Sequence, residues 1–386
     1  MRKKLPGCFT EYDLTPNELE IARCKALAEG GYLDLTSSNP TQQGLLFPPT
    51  VLRQAAEGYW ESRRYTPDPQ GLPAARAAIA QFYAERSPPF LVKEEALFLT
   101  ASTSEAYGLL FALLADAGDN LLIPNVTYPL FEYLAAIHHL ELKTYLLDEE
   151  KNWQIDEESL LAQVDSQTRA ILLVSPHNPT GMVIQKPLAV FDKIGLPLIC
   201  DEVFATFPYA IEAVPPIAAL HPQLPVFTLN GISKMFALPD LKLGWILLNS
   251  VAQTLYSERL ELLNDTFLGA NSLIQTMLPQ LFAQGNAFRA TMHEQIRANL
   301  TLGLDSLRSC PGVKVQAPAG GYYLFPLIQT WENEDELVLY LLQKGVLVHP
   351  GYFYGEVSGV HIMLSALTAP ASFEQGLACL VQALRA

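Results

Sequence analysis

Arg169-Ala170-Ile171-Leu172-Leu173-Val174-Ser175-Pro176-His177-Asn178-Pro179-Thr180-Gly181, followed by Leu198-Ile199-Cys200-Asp201, is the stretch from which the fold is read. Each part is a short apolar run that stops abruptly at polar or turn-forming residues. Such a run suits a strand buried on both faces, and the chain between successive runs has helical character. Working outward, the pattern recurs at Ala96–Ala101, Asn120–Pro124, Glu141–Leu147, Arg169–Ser175, Pro197–Val203, Val226–Leu229 and Leu243–Leu248. Strands alternating with helices predict a mostly parallel, doubly wound α/β sheet. The clearest helix lies between the first two runs. There Ala106, Leu109, Leu110, Leu113 and Leu114 follow the i, i+3, i+4, i+7, i+8 spacing of a core-facing stripe.

The last third reads differently. A long helical stretch from Asn271 to Leu307 precedes short strands at Val313–Gln316, Tyr322–Phe325, Val346–His349 and Val360–Ser365, and a final helix is entered at Pro370. This predicts a smaller α+β unit. The expected division is an N-terminal segment (residues 1–37), a large domain (38–272) and a small C-terminal domain (273–386). The N-terminal segment holds a helix from Pro16 to Ala28, closed by Gly30-Gly31, that packs on the small domain or on a partner subunit.

Composition bounds the function. With 386 residues, 49% apolar and 17% charged, the chain buries a substantial core and does not fit the disordered class. Lys plus Arg number 25 against 40 Asp plus Glu, a net charge of −15 that repels a phosphate backbone, and no basic stripe offsets it. The five cysteines are scattered with no C-x-x-C pair, which argues against a disulfide framework or a zinc cluster and for a reducing cytoplasm. Met1–Lys4 is basic, but Pro6, Gly7, Glu11 and Asp13 follow in place of an apolar signal segment. No apolar run approaches the ~18 residues that span a bilayer.

In an open α/β sheet, ligands bind beyond the carboxyl ends of the strands, and the unusual polar residues lie there. Ser102-Thr103-Ser104 opens the amphipathic helix, where free N–H groups and the helix dipole favour a phosphate; Ser102-x-x-Glu105 is also a capping box, and the two readings are compatible. Tyr128 follows the second run, either as packing or as a platform for a planar ligand. The Asn178 amide follows the fourth. Asp201 ends the fifth, a desolvated carboxylate that needs a cap, a salt bridge or a cationic ring nitrogen as partner. Lys234 follows the sixth, in Asn230-Gly231-Ile232-Ser233-Lys234. It is either a solvated surface amine or one whose pKa is lowered for attack on a carbonyl. Phosphate anchor, ring platform, amide donor, carboxylate and imine-forming amine are together what pyridoxal phosphate requires.

With these residues in view, the sequence resembles the class I/II aminotransferases of the fold-type-I pyridoxal phosphate enzymes, from Asn39-Pro40 to the C-terminal helix. Tyr65 with Pro69-Gln70-Gly71-Leu72 and Arg76 resembles one family segment, and Pro318-Ala319-Gly320-Gly321-Tyr322-Tyr323 resembles another, near the substrate. The resemblance implies that Lys234 is the catalytic Schiff-base lysine. It implies that Tyr65, Ser102, Thr103, Ser104, Tyr128, Asn178, Asp201, Ser233 and Lys242 complete the pyridoxal 5'-phosphate site. It also implies amino-group transfer between an amino acid and a 2-oxo acid, and a homodimer in which Tyr65 reaches the partner's cofactor.

Four departures stand out against the family pattern. Gly231 replaces a serine, Lys242 an arginine on the phosphate, Phe204 a tyrosine that donates to the phenolic oxygen, and Met363 the arginine that grips the substrate carboxylate. Lysine keeps the charge but not the bidentate fork. With Phe204 the imine is expected to hold its proton more tightly. Arg63, Arg64, His177 and His349 are the other cations considered for the carboxylate. Three rivals to transamination use the same residues or fewer: an eliminating lyase on the same cofactor, a cofactor-retaining protein without turnover, and a transcription regulator. The last is disfavoured because no basic helix-turn-helix segment precedes Ser38.

Overall fold

The computed structural model describes residues 7–10 and 12–385; Met1–Lys4, Pro6 and Glu11 lie outside the described residues. Its centre is one seven-stranded sheet. The strands are β1 (Leu97–Thr100), β2 (Asn120–Pro124), β3 (Glu141–Tyr145), β4 (Thr168–Val174), β5 (Leu198–Asp201), β6 (Val226–Gly231) and β7 (Gly244–Leu248). They lie in the order β1-β7-β6-β5-β4-β2-β3. β7 is antiparallel to both its neighbours and the other pairings are parallel. Each expected run supplies one of these strands.

Helices cover both faces, and the alternation of side chains distributes the strands between two cores. Phe98, Ile246 and Leu248 face one side, with Ala106, Leu109 and Leu110 of helix Thr103–Leu114 and with Leu260. Leu97, Leu99, Trp245 and Leu247 face the other, with Ile79, Ile274, Leu278 and Leu281. Because neither face meets water there, the central strands read as continuous apolar runs in the sequence, whereas the edge strand β3 is partly exposed and mixed in character.

Two elements differ from the sequence reading. The run Glu141–Leu147 leaves the sheet after Tyr145, and Leu147–Asp148 pairs instead with Gln154–Ile155. The Leu147 N–H donates to the Asn125 side chain at 2.9 Å, which holds the bend. The long stretch 271–307 is two helices, Ser272–Gln284 and Asn286–Arg308. At Gly285, between them, a Cβ would lie 2.5 Å from the Leu281 carbonyl oxygen and 2.6 Å from the Phe236 ring. The first helix packs beneath the sheet on Pro49–Ser62 and Pro73–Ala84, the second on the C-terminal helix Pro370–Arg385. Glu18–Glu29 packs on Glu334–Gln343, and Leu33–Asp34 pairs in parallel with Val346–Leu347. Tyr323–Leu324, Ile362–Ser365 and His349–Pro350 form a three-stranded sheet beside them.

A buried ion pair fixes the chain next to Asp201. Arg86 Nη1 donates to Glu202 Oε2, with the side chains 7% and 0% exposed. Arg86 Nη2 also reaches the Val214 carbonyl at 3.0 Å, and Glu202 Oε1 accepts the Ile217 N–H at 3.0 Å. Asn230 Nδ2 donates to the Glu202 carbonyl at 3.0 Å, tying β5 to β6. Breaking such a pair from one side leaves a buried charge alone, so Arg86→Met is expected to cost about 3–5 kcal/mol of stability. Urea unfolding followed by circular dichroism measures it; an unchanged midpoint would assign the carboxylate another partner.

Candidate active site

The carboxyl ends of β4, β5 and β6 open on one crevice, and the sequence change at each end sets what faces it. Asp201 is the last residue of β5 and only 9% exposed. Its Oδ1 accepts the Val203 N–H at 2.9 Å and its Oδ2 accepts the Tyr107 hydroxyl at 2.8 Å. Burial pushes the carboxyl up to about 6, against the pull of those donors and of Lys234. Beyond β6, the single turn Ile232–Met235 carries Lys234. Its Nζ donates to the Ser38 carbonyl at 3.2 Å. Burial lowers the amine to about 8, while the Asp201 charge holds it up.

β1 leads into helix Thr103–Leu114. Ser102 caps it, its Oγ accepting the Glu105 N–H at 3.1 Å, and the Glu105 carboxylate takes the Ala101 N–H. The capping reading of Ser102 is therefore realised, and Thr103 and Ser104 are left to face the crevice. Gly244 lets β7 close against this turn, since a Cβ there would lie 3.0 Å from both Ser102 C and Thr103 N. Its cross-strand partner is Gly231, where a Cβ would lie 2.8 Å from the Leu243 carbonyl oxygen. The glycine that stands in place of the family's serine thus occupies a position with no room for a side chain.

These residues enclose a cavity of about 170 Å³. Thr103, Ser104, Tyr128, Asn178, Asp201, Ser233 and Lys234 line it, as expected from the sequence, joined by Ser38, Tyr107, Phe131, Phe204 and Tyr323. Asn178 is 8% exposed and its amide oxygen has no protein partner. Tyr128 is half exposed, its ring edge-on to Phe131 at 6.5 Å. A wider cleft of about 1060 Å³ lies between Leu327 and Val360, but Glu332, Glu334, Asp335 and Glu356 line it and no basic side chain does. An anionic ligand has no partner there, so chemistry rather than volume selects the smaller cavity.

Three expected site residues lie outside that lining. Tyr65 is 71% exposed on a loop, Lys242 is exposed at a left-handed position (φ 50°), and Ser102 serves as the cap described above. Of the cations considered for a substrate carboxylate, His177 is excluded: it is 2% exposed, its Nδ1 is 2.9 Å from Thr180 Oγ1, and burial lowers it to about 4. It is neutral at physiological pH. Burial also lowers His349, whose Nδ1 lies 3.0 Å from the Tyr354 hydroxyl. The exposed Arg63 sits over the Tyr59 and Trp60 rings at 6.0 and 5.6 Å, and Arg64 is exposed beside it. Met363 is 1% exposed in the strand opposite His349. Lys234 is thus the one cation that lines the cavity among the described residues.

Two contributors escaped the sequence reading. The Ser38 carbonyl is a backbone group without a sequence signal. Tyr107 falls within an apolar helix and reads as packing; its one mark is a hydroxyl one turn after Thr103 and Ser104, on the same helix face.

An amine of pKa about 8 is half free near that pH. Covalent capture of an aromatic aldehyde, trapped with borohydride, is expected to rise about tenfold per pH unit below 8 and level off above it. A rise continuing to pH 10 would mean an ordinary surface lysine.

Comparison with known proteins identifies the family and agrees with the fold. Residues 31–376 match the family described as Aminotransferase class I and II. The chain is 28% identical over 313 residues to a tyrosine aminotransferase of Dictyostelium discoideum, covering 74% of this chain and 75% of that one. It is 29% identical over 360 residues to the glutamate-pyruvate aminotransferase of Escherichia coli K12, covering 88% and 87%. An alanine aminotransferase structure from Pyrococcus furiosus superposes with a TM-score of 0.86 at 24% identity, covering 95% and 96%. A match over nearly the whole chain, on a fold that carries a lysine and a carboxylate at adjacent strand ends, makes this chain a member of the class I and II aminotransferase family.

Proposed function

We propose that this aminotransferase moves an amino group between an amino acid or related amine and a 2-oxo acid in a ping-pong cycle, with pyridoxal phosphate as its cofactor. The observation that carries the reading is the pair Asp201 and Lys234, facing one cavity from the ends of adjacent strands. The residues suit the group. An unpartnered Asn178 oxygen marks an amide with unused hydrogen-bonding capacity, a buried carboxylate awaits a cation, and the Thr103–Ser104 turn offers a helix N-terminus closed by Gly244. When bound, pyridoxal phosphate supplies an electrophilic carbonyl and a ring that accepts electrons from the substrate carbon.

The chain's own residues do the rest. Lys234 Nζ holds the cofactor and, once displaced, carries a proton from the substrate α-carbon. Asp201 keeps the ring nitrogen protonated, Tyr128 stacks on the ring, and Asn178 meets its phenolic oxygen. Thr103, Ser104 and Ser233 hold the phosphate, with Ser102 shaping the turn. Lys242 and a partner's Tyr65 complete the anchor in a homodimer. Exposed Leu46, Trp60, Tyr65, Phe267 and Leu268, each at least 58% exposed, support a covered surface of that kind. The working division is a large unit 38–272 with the helix after it packed beneath, and a small unit formed by the remaining C-terminal residues. A reducing cytoplasm is the compartment proposed.

A donor without an α-carboxylate is a second reading, favoured by a lining whose one cation is Lys234. The test is a panel of amino acids and their decarboxylated amines, each incubated with a 2-oxo acid and assayed for the new amino acid. Transfer from one donor supports the proposal and separates the two readings. Pyruvate and ammonia released without an acceptor would instead identify an eliminating lyase.

A further inference from the structure

We propose that Tyr107 is a positioning residue that keeps the Asp201 carboxylate ionised and turned toward the ring nitrogen of the cofactor. Asp201 has two donors. The Val203 N–H belongs to the backbone just beyond β5, so among the described residues Tyr107 is the only side-chain hydroxyl bonded to the carboxylate, at 2.8 Å. Tyr107 is 2% exposed. Its ring is fixed edge-on against Phe131 at 4.9 Å and tilted against Phe111 at 6.1 Å, so the hydroxyl is delivered from a rigid helix face. Burial, then the Asp201 charge, holds the phenol proton well above its ordinary range, so Tyr107 remains a donor throughout the working pH range.

The arrangement answers a specific problem. A carboxylate at a buried strand end is disfavoured by desolvation and by the adjacent Glu202 charge. Lys234 opposes both across the cavity, but it is the group that must be free to leave for chemistry. Arg86 is the other buried cation nearby, and it is spent on the Glu202 carboxylate; the Cys200 thiol next to Asp201 in the strand is pushed well up by burial, and Tyr128 and Tyr323 line the cavity wall. The Val203 N–H and the Tyr107 hydroxyl are therefore the ionising contacts that persist while Lys234 moves, and Tyr107 is the one of the two that a side chain supplies. A hydrogen bond to a charged group is strong enough to shift its protonation by about one pH unit or more when removed.

The role toward the ring nitrogen rests on the proposed cofactor, so the first readout needs none. Carboxyl-¹³C NMR of the full-length protein without added cofactor follows Asp201 directly, its signal assigned by its loss in Asp201→Asn. Tyr107→Phe, which keeps the ring and its packing, is expected to raise the Asp201 midpoint by about one pH unit. Phe131→Leu, which loosens that packing and keeps the hydroxyl, is expected to leave it in place. An unmoved midpoint in Tyr107→Phe, or an equal shift in Phe131→Leu, overturns the proposal. Pyridoxal phosphate affinity is the second readout. Tyr107→Phe is expected to weaken it about tenfold at pH 7 and to add nothing in an Asp201→Asn background; an additive loss would place Tyr107 on another contact. Failure of the unaltered protein to bind the cofactor would sink the functional proposal while the NMR comparison still decides this one.

Discussion

Lys234→Ala is expected to lower turnover by at least ~10⁴-fold and to abolish covalent retention of the cofactor after borohydride treatment, because the proposed cycle gives one amine two tasks. It would anchor the cofactor carbonyl and would shuttle the proton. Both need a free amine in a dry site, and burial beside Asp201 supplies one at about 8 instead of 10.5. Lys234→Arg sharpens the test. Arginine keeps a positive charge opposite Asp201, yet cannot give a free base at any working pH. Steady-state rates for both variants, with cofactor content by absorbance, are expected to be equally low. A Lys234→Arg variant that kept substantial activity would assign the lysine an electrostatic role only.

Asp201→Asn gives the second large effect, a fall in turnover of about 10²–10³-fold with no loss of folded stability. The amide fills the same space and can still accept the Val203 N–H, but it has no charge to hold a proton on a ring nitrogen. Stability moves the other way. A carboxyl whose folded pKa (about 6) exceeds its unfolded value (3.8) binds an extra proton in the native state between those values. Its contribution therefore falls as pH rises from about 4 to 6 and stays unfavourable above, by up to ~3 kcal/mol. Asparagine removes that penalty, so at pH 7 the variant should unfold at equal or higher denaturant concentration, and the difference should shrink toward pH 4. Activity given up for stability marks a carboxylate kept for chemistry rather than folding. A variant both less stable and fully active would contradict the assignment.

The fold was legible because the sheet is covered on both sides. Apolar runs such as Ile171-Leu172-Leu173-Val174 carry their own boundaries, and the central strands follow from them, while the edge strand β3 is mixed in character and partly exposed. Tertiary contacts decided what the runs could not show. Leu146 and Leu147 continue an apolar pattern, but the Asn125 side chain draws the chain away from the sheet. Residues 271–307 keep helical character throughout, and only the Phe236 ring beside Gly285 shows why the two helices part there. In the site, position at strand ends singled out Asp201 and Lys234, which line one cavity, while the roles expected of them came from the family resemblance. Backbone contributors and aromatic donors were not legible, as with the Ser38 carbonyl and Tyr107. His177 misled because a histidine in a crevice motif reads as a cation until its burial is known.

The central claim is that Lys234 carries pyridoxal phosphate in a site that exchanges amino groups. Its most direct test is the absorbance spectrum of the purified, cofactor-loaded protein through one half-reaction and its reversal. A visible band that disappears with an amino donor and returns on adding a 2-oxo acid, and that borohydride fixes onto Lys234 in the peptide map, is the predicted result. A protein that acquires no visible band, with Lys234 unmodified after borohydride, would contradict the account.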